Sequence, residues 1–156
     1  MAVFWAKGYD GTSMADLVEA MGIGRQSLYD TFGDKRGLYL RALRHYGESA
    51  ITPSLAVLAG PGEPIDRIRT IFESWQAAGT CPDCKGCFMA NALATLDRND
   101  DDVAGLIDEL QDRLTRGFED AITQARAAGQ IAGDADPADL AAMLTAVGHG
   151  LSLAGR

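Results

Sequence analysis

No stretch of this chain approaches the roughly 20 consecutive apolar residues a membrane-spanning helix needs, although 47% of its 156 residues are hydrophobic. The opening MAVFWAKG is too short and too weakly charged for a secretory leader, so a cytoplasmic location and no membrane partner are expected. Cysteine is scarce and local: all three lie within CPDCKGC, which excludes a disulfide framework spread through the fold. Histidine is confined to His45 and His149. No Ser-His-Asp set, paired-carboxylate motif or phosphate loop is placed on the pattern, so neither an enzyme nor a cofactor is expected. Strand-type alternation is nowhere sustained, and there are no internal repeats or low-complexity segments. What remains is an all-α fold.

Basic residues are also a minority, 14 against 22 acidic, for a net charge of −8. The imbalance is uneven. From Met1 to Tyr46 there are six basic and five acidic residues, and the remainder carries eight against seventeen. Any contact with nucleic acid is therefore local, with the acidic body held away from phosphates.

The most informative residues are 13–35, SMADLVEAMGIGRQSLYDTFGDK. Ser13 is a good N-cap, and Asp16 puts a carboxylate at the positive end of a helix. Met14, Leu17, Val18 and Met21 follow at i, i+3, i+4 and i+7, one apolar stripe. Gly22 is placed to stop the helix in a left-handed conformation, with Ile23 turning inward. A second helix, Arg25 to about Phe32, has Leu28 and Phe32 on its buried side. Arg25, Gln26, Ser27, Tyr29, Asp30 and Thr31 remain for other faces. A helix this short is held by packing rather than by its own propensity. Two short helices, a tight glycine turn and a polar outer edge describe a helix-turn-helix.

The run TSMADLVEAMGIGRQSLYDTFGDKRGLYLRAL resembles the DNA-binding domain of the TetR family of transcriptional regulators. The upstream FWAKGYDGTS looks like the end of that family's first helix, and Leu28-Tyr29 with Phe32, Gly33, Asp34 and Lys35 matches its Leu-Tyr-x-x-Phe-x-x-Lys stretch. The match is close over the first third of the chain and elsewhere lies in helical layout. Val18 stands where alanine is usual, which should tighten the helix pair. Gly24 replaces the usual Ser or Thr cap, at a cost of a few tenths of a kcal/mol. The resemblance implies a basic arm and most of a first helix ahead of Met1, and so an incomplete N-terminus.

The same resemblance implies roles. Thr12, Ser13, Tyr29 and Lys35 would touch phosphates, while Arg25, Gln26, Ser27 and Asp30 would face bases of double-stranded operator DNA. The chemistry is compatible: Arg suits guanine, Gln suits adenine, and Asp accepts from cytosine. Asp30 would be repelled by phosphates, so it reads a base or pairs with Arg25 or another cation. Domain limits follow as 1–46 for the reader, with a linker helix from about residue 34, and 47–156 for an effector-binding and dimerisation body.

In that body, Asp34 caps a helix running to about Ser49, with Tyr39, Ala42, Leu43 and Tyr46 on one face. TPSLAVLAGPGEP reads as a helix end and a loop. Pro64 opens a helix with an Ile65, Ile68, Phe72 and Trp75 stripe. Others are expected from about Gly86 to Leu96, from about Asp100 to Ala128 (Val103, Ile107, Leu110, Leu114 and Phe118 inward), and from Pro137. The last has Leu140, Met143, Leu144, Val147 and Leu151 apolar, with Gly148 and Gly150 allowing close helix approach. By resemblance it contributes to a homodimer interface of which a further helix is missing here. His149 reads as a packing or interface residue.

Small-molecule effectors of the family bind among the middle helices. Candidate lining residues are Phe72, Trp75, Phe88, Met89, Asn91, Ala92 and Ile107, with Asn91 supplying an orienting amide. Cys81, Cys84 and Cys87, spaced C-x2-C-x2-C, are an alternative thiol or metal switch, though a closed zinc site lacks a fourth ligand nearby. Two readings stand: a ligand-responsive DNA-binding regulator, acting as a repressor, and a thiol- or metal-sensing one.

Overall fold

The computed structural model describes residues 1–79, 87–95 and 100–154, and among these there are nine α-helices and no strand. They are α1 (Ala2–Lys7), α2 (Met14–Met21), α3 (Arg25–Phe32), α4 (Lys35–Tyr46), α5 (Thr52–Leu58), α6 (Pro64–Gly79), α7 (Phe88–Thr95), α8 (Asp101–Ala127) and α9 (Pro137–Ala154). None is long and apolar enough to cross a membrane.

α8 is the mast of the body, because its apolar spacing puts Val103, Ile107, Leu110, Leu114 and Phe118 on one buried stripe, continued by Ala121, Ile122 and Ala125. Asp100 caps it by accepting from the Val103 amide at 3.1 Å. α6 and α9 pack along it, and α4 and α5 also contact it, α5 through Leu55 and Leu58 at Gly117. At the other end of the chain Phe4, Leu17, Leu28, Leu38, Tyr39 and Leu43 are buried together, continuous with the core of the body.

One expectation needs correction. The helix expected to end near Ser49 does not end there: Gly47–Ile51 is a turn of π-helix that passes directly into α5. Pro53 has no amide hydrogen and its ring would press on the carbonyl four residues back, so the chain widens by one residue instead of breaking. Ser49 and Ser54 hydroxyls donate to the Tyr46 and Ala50 carbonyls, both at 3.2 Å, and occupy acceptors in the widened turn. Gly47 is buried there, since a β-carbon on it would overlap Leu110 Cδ2 and lie 3.0 Å from its Cδ1. The turn and α8 meet because that position has no side chain.

The stripe expected on α9 divides between two faces. Leu140 and Leu144 pack on the core, whereas Met143, Val147 and Leu151 are exposed at 54%, 47% and 43%. These three recur every four residues, so they form one outward apolar ridge.

Candidate nucleic-acid interface and the junction behind it

The helix-turn-helix is built by local hydrogen bonds that the residue types dictate. Ser13 Oγ accepts from the Asp16 amide at 3.1 Å, and Asp16 Oδ2 accepts from the Ser13 amide at 2.8 Å, a reciprocal capping box. Lys7 Nζ reaches the other oxygen of Asp16 at 2.7 Å and ties α1 to α2. Lys7 and the Ser13 donors hold this carboxyl well below its usual range. Gly22 closes α2 at φ 64°, a left-handed residue that donates to the Val18 carbonyl at 3.0 Å.

α3 follows Gly24, which offers no side-chain cap. Its anchor is Leu28, fully buried, with Phe32 half-buried behind it and the Arg41 guanidinium 5.2 Å over the Phe32 ring. Arg25, Gln26, Ser27, Tyr29, Asp30 and Thr31 are all exposed. One side chain fastens the helix and six face outward. Gln26 Nε2 donates to Asp30 Oδ1 at 2.8 Å, a neutral amide partner that neither of the two expectations for Asp30, a base or a cation, had named. Lys35, in the first turn of α4, lies over the Tyr9 ring with its ammonium 4.3 Å from the centroid.

Thr12 departs from expectation. It is only 1% exposed and its hydroxyl donates to the Gly8 carbonyl at 2.6 Å, so it closes the α1–α2 corner and cannot reach a phosphate. Ser13 is exposed, but its hydroxyl lies 2.8 Å from Asp16 Oδ2 and is committed to the cap.

Behind the helix-turn-helix, two contacts that sequence reasoning missed join it to the body. The Arg36 guanidinium at the start of α4 meets Asp100 through Nε and Nη2, at 2.6 and 2.7 Å, and Asp102 at 2.5 Å. This fork depresses the Asp100 pKa, chiefly through the Arg36 hydrogen bond. The second contact is between Tyr46 and Cys87, where the phenol donates to Sγ at 3.0 Å. Burial pushes the Tyr46 pKa far up, and the Tyr39 phenol is pushed up to about 12 for the same reason. Trp5, Tyr39, Tyr46 and Phe88 stack edge to face or tilted around this joint, with centroids 5.4 to 5.9 Å apart.

The seven effector candidates are not brought together. Phe88, Asn91 and Ala92 line a cavity of about 190 Å³ shared with Phe4, Trp5, Lys7, Gly8 and Tyr39. Phe72 and Trp75 stand elsewhere, in an aromatic cluster with Phe118 at 5.4 to 5.9 Å. Met89 and Ile107 are core residues at 2% and 1% exposure. Of the cysteine cluster, Cys81 and Cys84 lie outside the described residues. Among the described residues no three His, Cys, Asp or Glu side chains converge as a metal site. His149 packs inward, with Nδ1 3.3 Å from Gln111 Nε2, and burial lowers its pKa.

Comparison with known proteins fits this architecture. Residues 1–42 match the family described as "Bacterial regulatory proteins, tetR family", and residues 64–156 match "Tetracyclin repressor-like, C-terminal domain". An uncharacterised HTH-type transcriptional regulator of Bacillus subtilis, YezE, is 35% identical over 133 residues, covering 85% of this chain and 69% of the relative. The Escherichia coli HTH-type transcriptional repressor ComR is 30% identical over 160 residues, covering 100% and 75%. Among solved structures, a cysteine variant of the TetR family regulator CifR complexed with 26-bp double-strand operator DNA superposes with a TM-score of 0.85. It is 30% identical, and the match covers 98% of this chain and 80% of that one. These relatives are transcriptional regulators rather than enzymes. With both halves of the fold matched and the helix-turn-helix in place, the chain belongs to the TetR family of transcriptional regulators.

Proposed function

We propose that this protein is a repressor that binds double-stranded operator DNA as a homodimer and is released from it by a small-molecule effector. The observation that carries the reading is α3, fastened by the fully buried Leu28 with Arg25, Gln26, Ser27, Tyr29 and Asp30 exposed together. Arg25, Gln26 and Ser27 form the start of the helix, where a reading helix meets base edges, Asp30 lies one turn beyond Gln26 on the same face, and Tyr29 and Lys35 flank them for phosphates. Residues 1–46 are the reader and 47–156 the body. The CifR relative is bound to operator DNA with a superposable fold, which supports the same docking here.

A two-fold operator needs a two-fold protein, and the Met143, Val147 and Leu151 ridge of α9 is the apolar surface for a second copy. The effector site is the junction cavity at Phe88, Asn91 and Ala92, whose other wall is α1 of the reader. A ligand there would part α1 from α7, and the Arg36 fork to Asp100 would carry the displacement between α4 and α8. Such a change in the spacing of two recognition helices is a population shift away from the DNA-matching conformer.

The test is a shift assay on operator DNA at graded salt. Tyr29→Ala and Lys35→Ala should weaken binding on every sequence, and each should reduce the salt slope by about 1 if it removes one phosphate contact. If both variants bind as wild type does, the docking is wrong. A second reading, a thiol switch, is favoured by the Tyr46 to Cys87 hydrogen bond at the same joint. Induction unchanged after replacing Cys81, Cys84 and Cys87 by Ser eliminates it.

A further inference from the structure

We propose that Asp30 is a positioning residue for Gln26: its carboxylate fixes the Gln26 amide so that α3 favours adenine over guanine at one base pair of each half-site. The proposal rests on the reading of α3 as the DNA-contacting helix. Its observation is the 2.8 Å hydrogen bond from Gln26 Nε2 to Asp30 Oδ1, between side chains one turn apart that are both exposed.

A carboxylate on a helix that approaches phosphates lowers affinity for every sequence, so its value must lie in discrimination. The two ends of a glutamine amide are nearly equal in size and opposite in function. A free amide can turn either end to a base edge. Beside the Asp30 Oδ1 acceptor only one orientation is favourable, because the flipped amide would set oxygen against oxygen. The outward face is then Oε1 with a single remaining N–H. Adenine presents an N6 donor beside an N7 acceptor, which matches that pair. Guanine presents two acceptors, O6 and N7, and would need two N–H groups, one of which Asp30 already holds. The amide is also ordered before DNA arrives, so less rotamer freedom is lost on binding.

Selection from a randomised duplex library by the full chain, followed by sequencing of the bound pool, tests this. Asp30→Ala should reduce the adenine-over-guanine preference by about 3- to 10-fold, part of what a bidentate contact supplies, at the same base pair where Gln26→Ala abolishes it. Preferences elsewhere should stay, and affinity for non-specific duplex should rise. Asp30→Asn, which keeps an acceptor oxygen without the charge, should retain more of the preference than Asp30→Ala. A change at a different base pair, or none at any, overturns the proposal. A wild-type chain that selects no sequence overturns the DNA-reading assignment instead.

Discussion

Adding one methyl group to α9 tests how closely it approaches α6. A β-carbon on Gly148 would drive into Cζ3 of Trp75 and sit 2.8 Å from its Cε3 and 3.1 Å from its Cη2, well inside the roughly 3.5–4.0 Å of normal carbon contact. The indole has little room to retreat, because Phe72 and Phe118 hold it at centroid distances of 5.4 and 5.9 Å. Two effects oppose each other in Gly148→Ala. Alanine gains about 1 kcal/mol of helix propensity in a helix interior, and overpacking costs about 1–3 kcal/mol. The steric term wins, for a net loss of about 0–2 kcal/mol and a fall in Tm of up to about 8 °C at this chain length. Thermal unfolding of Gly148→Ala, Trp75→Phe and the double variant, at one protein concentration, separates the terms. Phenylalanine removes the ring that meets the new methyl, so the double variant should recover stability, with a coupling of about 1–2 kcal/mol. A Gly148→Ala protein that is more stable than wild type, with effects additive to Trp75→Phe, would refute the packing argument.

Leu28→Ala should cost about 2–5 kcal/mol locally, because its side chain is fully buried and nothing else fastens α3 so deeply. Hydrogen exchange should speed up in α3 amides while α8 keeps its protection; unchanged α3 protection contradicts the anchor. For His149 the sign follows from a folded pKa held by burial below its ordinary 6.5. As pH falls below about 6.5 the unfolded chain takes a proton that the folded chain refuses, so stability declines until the folded pKa is reached. His149→Gln should flatten that slope, which urea unfolding from pH 8 to 5 would measure.

Helix caps, stops and apolar stripes were legible in the sequence, and contacts between distant turns were not. Ser13 with Asp16, Gly22, and the α8 stripe could be read because each depends on residue types three or four positions apart. Arg36 with Asp100 spans 64 positions and Tyr46 with Cys87 spans 41, and both depend on how whole helices cross. The same limit scattered the effector candidates: helical spacing places Phe72 and Phe88 each on an inward face, yet their helices face different compartments. Thr12 was misread because a small hydroxyl beside a turn serves equally as an outward donor or an inward brace. Here the Gly8 carbonyl lies within reach and takes it.

The π-helical turn at Gly47–Ile51 acts as a phase-setter between reader and body. In an unbroken α-helix one surplus residue would rotate everything beyond it by about 100°, whereas a π turn takes that residue up in one wider turn and keeps the flanking helices nearly in phase. The azimuth at which α5 and its followers leave α4 is therefore fixed by a single backbone unit, with Gly47 and Leu110 locking the choice. Removing one residue from those five positions would restore an ordinary helix with α5 nearly in phase, whereas removing one from α4, where no wide turn takes up the change, would swing the body by more than a quarter-turn and leave two reading heads aimed at the wrong grooves.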